Sequence, residues 1–373
     1  MSANDPQSEP MTVQQALNAA IEHHQAGSLA EAEAIYRQVL ARQPDNTDAL
    51  HLLGMIAHQM GKNQDAQELI TRAININPIT AVYYNNLGNV FTALGKTNES
   101  LHAYRTAIEF EPNYADAHNN LGGSLQTLGK FEDAVGAYRT ALQLQPDSAH
   151  IYNNLGHALA NGGQLDAAIN AYRRAIKLKP DFADAYDNLG IALANSGQLD
   201  AAIEAYRAAL RYKPDKHQIH SGLIHTMYFH PGFDDRAIHE EFVLWNQQHV
   251  EPLSKFIQPH TNPDSHRDDP ERRLKIGYVS PDFRQHVVGW NLFPLLREHD
   301  RKDFEIICYS GVLRPDDMTD RIRVCANGWR SIVNITDEQV AQMIRDDQID
   351  ILVDLTMHMA NNRLLVFARK PAP

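Results

Sequence analysis

The chain has 373 residues and a net charge of −12, with 43% hydrophobic and 21% charged residues. That is the composition of a globular protein of two or three domains, and the acidic balance argues against a general nucleic-acid backbone binder. No apolar run approaches a membrane span, and the two cysteines, Cys308 and Cys325, give neither a disulfide framework nor zinc-ligand spacing, so a reducing, cytoplasmic setting is expected.

Residues 1–10 are polar and acidic, lack the parts of a secretion signal, and read as a short disordered leader. From residue 11 a ladder of prolines sets in: Pro44, Pro78, Pro112, Pro146, Pro180 and Pro214, each 34 residues after the last. Gly27, Gly61, Gly95, Gly129, Gly163 and Gly197 keep the same step, as do Gly54, Gly88, Gly122, Gly156 and Gly190. A 34-residue period is the mark of stacked helix–turn–helix units. In residues 81–114, Tyr84, Leu87, Gly88 and Phe91 fall at helical spacing and predict a helix from about Ala81 to Leu94. Gly95 ends it, and Gly88 lets a paired helix carrying Leu101, Tyr104, Ala107 and Ile108 come close, until Pro112 stops that one. Neither helix buries its apolar face alone, so neighbouring units must stack.

Six units fit, at 13–46, 47–80, 81–114, 115–148, 149–182 and 183–216. Their Tyr-Asn-Asn-Leu-Gly, Ala-Tyr-Arg and Pro markers resemble the tetratricopeptide repeat family. The first two units drift most, with Ala20 at the first glycine position and Ile70 where other units have tyrosine. The markers fade after Lys216, and 217–250 reads as a helical cap. Residues 251–272, with Pro252, Pro259, Pro263 and Pro270 among many Asp, Arg and His, read as a linker.

At Arg273 the pattern changes. Strands are expected at 274–280, 304–310, 330–333 and 349–355. Helices are expected around 290–298, broken or kinked at Pro294, at 316–325, and after the capping box Thr336–Gln339. Such alternation predicts a parallel sheet with helices on both faces and sites beyond the strands' carboxyl ends, at 280–286, 309–314 and 355–361. Four strands are few for a doubly wound domain, which suggests a chain cut off mid-domain.

The run Leu-Lys-Ile-Gly-Tyr-Val-Ser-Pro-Asp-Phe-Arg-Gln-His at 274–286 resembles the start of the catalytic region of the O-linked N-acetylglucosamine transferases, the SPINDLY/OGT family. Phe-Glu-Ile-Ile-Cys-Tyr-Ser at 304–310 and the stretch from Ile349 to Pro373 resemble later blocks of that region. The resemblance implies an α-solenoid followed by a partial α/β Rossmann-like lobe of GT-B type, at 273–373, and transfer of N-acetylglucosamine from UDP-GlcNAc to Ser or Thr hydroxyls. It implies no metal or other cofactor. In the family most of the donor pocket lies in a second lobe beyond the Pro-Ala-Pro stretch, so this chain alone is expected to be inactive. The alternative is a non-catalytic protein-binding scaffold.

Within the resemblance, His286 matches the histidine of the Asp-Phe-x-x-His block and could take a hydroxyl proton or donate a hydrogen bond to substrate. The plainer reading is a loop histidine bonded to Asp282 or to backbone, and Asp282 itself is expected to shape the loop. His358, in Thr-Met-His-Met, is the second catalytic candidate, or else a packed surface histidine. In the repeats, Asn86, Asn120, Asn154 and Asn188 recur in phase, preceded by Asn85, Asn119, Asn153 and Asp187. Asparagine costs a helix several tenths of a kcal/mol against alanine, so its repetition implies a gain. The family's repeats present such a ladder on their inner surface, and its amides suit the backbone of acceptor proteins or extended Ser/Thr-rich peptides. Inter-repeat hydrogen bonding is the plainer account. A chaperone-docking module would call for Lys and Arg at these positions. No nucleic-acid or membrane partner is expected. His217, His220, His225, His230, His239 and His249 read as scattered surface histidines without metal-site spacing.

Overall fold

The computed structural model of the protein describes residues 11–262 and 272–373; the expected leader and residues 263–271 of the expected linker lie outside these. The chain forms two compact units, one ending at Pro180 and one spanning Asp181–Pro373.

The first unit is built of α1 (Val13–Gln25), α2 (Leu29–Arg42), α3 (Thr47–Gln59), α4 (Asn63–Ile76), α5 (Ala81–Ala93), α6 (Thr97–Phe110), α7 (Ala115–Thr127), α8 (Phe131–Leu144), α9 (Ala149–Asn161) and α10 (Leu165–Leu178). These are the paired helices of five repeats. The glycine between the helices of each pair, Gly95 for instance, has φ near +72° to +79°, a conformation that side chains oppose. It lets Gly95 N–H bond Thr92 O at 3.0 Å and Lys96 N–H bond Phe91 O at 2.8 Å, which closes the helix end. The second glycine series serves packing. A Cβ at Gly88 would stand 2.4 Å from Cε1 of Tyr104, one at Gly122 2.7 Å from Tyr138, and one at Gly156 2.6 Å from Tyr172. Each tyrosine ring packs against the bare glycine of the partner helix and is almost fully buried. Burial of such a ring contributes about 1.5–3 kcal/mol. Between neighbouring pairs the core is continuous, as Leu50, Ile70 and Ala73 pack with Tyr83, Leu87 and Val90 of the next repeat.

The second unit opens with the sixth repeat, α11 (Ala183–Asn195) and α12 (Leu199–Tyr212). Next come α13 (His217–Phe229), α14 (Asp235–Trp245), a π-helical turn Asn246–Val250 and a 3-10 turn Glu251–Phe256. α13 starts 34 residues after α11 and has the same 13-residue length, so this segment is a seventh helical pair in phase with the rest. Its sequence markers are gone because Ile224 stands where Gly190 does one period earlier.

The sheet follows: β1 (Leu274–Ser280), β2 (Phe304–Ser310), β3 (Gly328–Ser331) and β4 (Ile351–Asp354), all parallel, in the order β3-β2-β1-β4. Leu274 pairs with Phe304 and Val279 with Asp354. One face packs Ile276, Tyr278, Ile306 and Cys308 under α15 (Val287–Glu298) and α16 (Asp317–Cys325). The other packs Val279, Ile307 and Tyr309 under α17 (Asp337–Asp346) and α18 (Leu364–Phe367). Helices on both faces follow from strands whose central residues are apolar on both sides.

Boundaries differ from expectation at three places. β3 begins two residues earlier than expected, because Trp329 packs on the Phe283 side of the sheet. β4 is shorter than expected, since Ile349 N–H still bonds Ile344 O and closes the preceding helix. Pro294 does not break α15, which runs through it. The Thr336–Gln339 capping box is present in both directions. Among the described residues, no helix is long and apolar enough to cross a membrane.

Candidate active site and repeat groove

The carboxyl ends of β1 and β2 carry a loop system built from small, buried polar groups. Ser280 is fully buried, and its hydroxyl accepts from Asp282 N–H at 3.0 Å, which turns the chain out of the sheet. Phe283 then plugs into the core beneath α15. Asp282 is buried and draws on Arg284 at 3.3 Å, so it shapes the loop as its sequence position suggests. Gln285 N–H donates to Asp316 at 2.7 Å, tying this loop to the one after β2. That bond is the first of those that hold the Asp316 carboxyl below its usual range. Gly289, in the first turn of α15, is required here. A Cβ on it would lie 2.2 Å from Arg284 O.

His286 is the N-cap of α15, and its Nδ1 accepts from Val288 N–H at 3.3 Å. Asp282 is 3.8 Å from the same nitrogen, too far for a hydrogen bond. A neutral imidazole whose Nδ1 accepts carries its proton on Nε2. The ring is about one third exposed, so Nε2 is left to act as a donor at the sheet's carboxyl edge.

β4, the neighbour of β1, ends in Asp354, whose carboxylate accepts from Thr356 N–H at 3.1 Å and Met357 N–H at 2.7 Å. Burial raises the Asp354 carboxyl despite these bonds. Met357 takes φ 48°, and His358 is thereby turned inward. Its Nδ1 meets Ser221 Oγ at 3.0 Å, and its ring stands 4.8 Å from those of both Phe242 and Trp245. Burial lowers its pKa to about 4, with His220, His217 and His225 adding to the effect. His286 and His358 thus sit at the same edge of adjacent strands, one partly open and one packed under α13 and α14.

The expectation of scattered surface histidines is corrected for three of the six. His217, His220 and His249 are buried. His220 bonds Glu241 at 2.7 Å and His249 at 3.2 Å. The helical pairing of α13 with α14 brings them together, and spacing along the chain does not show that. No cluster among the described residues has the make-up of a metal site.

In the first unit the asparagines form inter-repeat bonds. Asn120 Nδ2 donates to both Asn85 and Asn89 at 3.1 Å, and Asn154 Nδ2 donates to Asn119 at 3.1 Å. Asn86 Nδ2 meets His51 Nε2 at 2.8 Å. Asn120 and Asn154, with Asn119, Asn89, Tyr104 and Tyr138, line an open polar groove of about 370 Å³. Asn188 holds the same register position on α11 in the second unit and is half-buried. Sequence reasoning singled out the ladder, and these lateral bonds match the plainer account it offered, inter-repeat hydrogen bonding. It passed over Gly289 and Asp316, whose only signals are a glycine in a helix's first turn and an aspartate at an N-cap.

Comparison with known proteins agrees with this architecture. The model of glycosyltransferase family 41 matches residues 225–373, and tetratricopeptide models match within 23–216. The chain is 37% identical over 155 residues to the probable UDP-N-acetylglucosamine–peptide N-acetylglucosaminyltransferase SPINDLY of Petunia hybrida, a stretch that is 40% of this chain and 16% of the relative. The corresponding probable SEC enzyme of Arabidopsis thaliana is 32% identical over 127 residues, 32% of this chain and 13% of that one. Among solved structures, a mutant O-GlcNAc transferase of Thermobaculum terrenum matches with 37% identity and a TM-score of 0.62, covering 69% of this chain and 49% of that one. The chain therefore spans only a minor part of the curated relatives it matches. The chain thus joins a tetratricopeptide array to a segment, 225–373, that matches glycosyltransferase family 41, and both parts are similar to O-linked N-acetylglucosamine transferases.

Proposed function

We propose that the chain serves protein O-GlcNAc transfer in the cytoplasm, with UDP-GlcNAc as donor and Ser or Thr hydroxyls of proteins drawn in by the repeats as acceptors. The observation that carries the reading is the loop from Ser280 to His286, fixed at the carboxyl edge of a parallel sheet with one imidazole open to solvent. In transfer with inversion, the acceptor oxygen bonds the anomeric carbon as the bond to the diphosphate oxygen breaks. The acceptor proton passes to a base, and negative charge gathers on the leaving diphosphate. With Nδ1 already accepting from Val288, His286 offers Nε2–H, which suits an oxygen that is gaining charge. To take the hydroxyl proton at Nε2, the ring would first have to give up that cap. The proposal calls for no metal or cofactor beyond the sugar nucleotide.

The groove along Asn89, Asn119, Asn120 and Asn154 is assigned to extended Ser/Thr-rich polypeptide. Because Asn120 has both amide hydrogens engaged, the contact falls to its carbonyl and to the free hydrogen of Asn154. A non-catalytic scaffold is the second reading, favoured by the packing of His358 against Ser221, Phe242 and Trp245.

The test is titration of the 373-residue chain with a defined Ser/Thr-rich peptide, alongside an assay with radiolabelled UDP-GlcNAc. Binding without sugar transfer is expected, since the family's cleft lies between two lobes and the described residues form one sheet. Transfer lost on His286→Ala would show that this lobe suffices. Failure to bind extended polypeptide would overturn the acceptor reading.

A further inference from the structure

The second unit contains a cavity of about 420 Å³ beside the loop after β4, lined in part by His358, to which the proposed transfer chemistry assigns no step. Asp187, Ile191 and Asn195 of α11, Tyr206 of α12, Gln218 and His225 of α13, and Asn361 after β4 are among its lining residues. We infer that this cavity is a binding subsite for one basic side chain, Arg or Lys, of a bound polypeptide, with Asp187 as the counter-ion. The inference rests on the reading that the repeats hold acceptor polypeptide.

Asp187 occupies the position of Asn85 and Asn119 in earlier repeats. Each of those gives its carbonyl to an amide 35 residues further on, from Asn120 and Asn154 respectively. The residue 35 positions after Asp187 is Gly222, which has no amide to give. Nor can another side chain stand there readily, since a Cβ at Gly222 would lie 3.0 Å from Tyr206 Cε1. The row therefore ends in an acceptor whose donor has been removed and whose neutral amide has become a carboxylate. Among the described residues, no hydrogen bond to that carboxylate is found. The nearby cation Lys213 is engaged by Asp184, with contacts of 2.7 and 2.9 Å.

A half-buried carboxylate without a donor is costly to keep, and a ligand cation that brings its own donors relieves the cost. Burial, with the charge of Asp184 adding to it, raises the Asp187 pKa to about 6, which marks how poorly the charge is compensated. The rest of the lining fits a long side chain. Ile191, Ala194, Tyr206 and Met359 offer apolar walls to a methylene stem, and Asn195, Gln218 and Asn361 are polar. A metal ion is a poor fit, because no group of ligating residues converges there.

The experiment titrates the full chain with a blocked twelve-residue Ser/Thr/Ala peptide carrying one arginine, with the same peptide carrying citrulline, and with agmatine. Wild type should prefer arginine over citrulline by about ten-fold or more, the range of one charge-assisted hydrogen bond. Asp187→Asn should abolish that preference and leave the affinity for the citrulline peptide unchanged. Equal binding of the two peptides by wild type, or an arginine preference that survives in D187N, overturns the subsite and leaves the acceptor reading intact. Agmatine binding as tightly as the arginine peptide overturns the assignment to a polypeptide side chain. Binding of neither peptide overturns the acceptor reading, and the subsite falls with it.

Discussion

At Asp187 the folded state keeps a carboxyl charged at a cost, and the sign of that cost can be measured. Its pKa is raised from 3.8 to about 6, with Asp184 raising it and Lys213 lowering it around the dominant effect of burial. A raised acid is penalised in the fold above its folded pKa, and the penalty disappears below its unfolded value. Asp187→Asn is therefore expected to stabilise the protein at pH 7.5 by about 1–3 kcal/mol, with the gain gone near pH 4. Denaturant melts of both proteins at the two pH values decide it; a loss of stability at pH 7.5 would mean that the carboxylate has a partner in solution. His358 runs the other way. Its folded pKa is lowered from 6.5 to about 4, so the unfolded chain takes up a proton first and stability falls as pH drops through that window. The groups facing it are His217, His220 and His225, with Glu241 paired to His220. The contribution is up to about 3 kcal/mol. Replacement by glutamine, which can keep a hydrogen bond to Ser221, should flatten the fall of melting temperature between pH 6.5 and 4.5. Neither effect was legible in the sequence. Asp187 looked like one more member of a polar row, and the partners of His358 lie as far as 137 residues away.

Among the helices, what could be read in advance was what repeats. The bounds of α5 and α6 follow from apolar spacing, and both glycine series were assigned their physical duties from phase alone, because one unit's geometry is checked by five others. Reading failed where a marker was replaced while the geometry persisted. α13 continues the period, yet Ile224 at the glycine position and Ser221 and Gly222 at the asparagine positions hide it. The close packing itself can be tested at Gly156. Alanine there gains helix propensity of about 1 kcal/mol. Its Cβ would also stand 2.6 Å from Cε1 of Tyr172, a ring about 1% exposed with nowhere to retreat. The clash should win, for a net loss of about 1–3 kcal/mol. Gly136→Ala, where a Cβ meets nothing within 4 Å, is the control and should be neutral or stabilising in the same thermal melts. Asn120→Ala carries a related lesson. Because its amide bonds Asn85 and Asn89, the substitution should cost about 1 kcal/mol of stability, so any loss of peptide affinity has to be measured where both proteins are fully folded.

On the scale of the molecule, the division at Pro180 runs against the grammar of the sequence, which changes at Arg273. The physical reason lies in the second unit, where the α/β lobe does not stand apart from helices. His358 and the loop after β4 pack on Ser221, Phe242 and Trp245, and Trp245 Nε1 in turn donates to His217 O at 3.4 Å. Residues 273–373 alone would expose His358, because the wall it rests on, Ser221, Phe242 and Trp245, lies outside that fragment. They would also leave uncovered α15 side chains that are exposed even in the whole chain, Val287, Trp290 and Leu295. An isolated lobe of this kind is expected to be poorly packed, binding hydrophobic dyes and melting without a sharp transition. Residues 181–373 retain the sixth repeat, α13 and α14, and are expected to melt cooperatively. Residues 11–180 should fold as a helical array, because each repeat draws its core from its neighbours. Dispersed amide spectra and a sharp melt from 273–373 alone would show that the lobe needs no helical support. If 181–373 also fails to fold, the division at Pro180 does not mark an autonomous unit. A third fragment, 217–373, locates the support within the unit. It keeps every partner of His358 yet lacks Tyr206, against which Gly222 packs. It should fold with a lower melting temperature than 181–373, which would place the sixth repeat in the stability of the lobe as well as in the array.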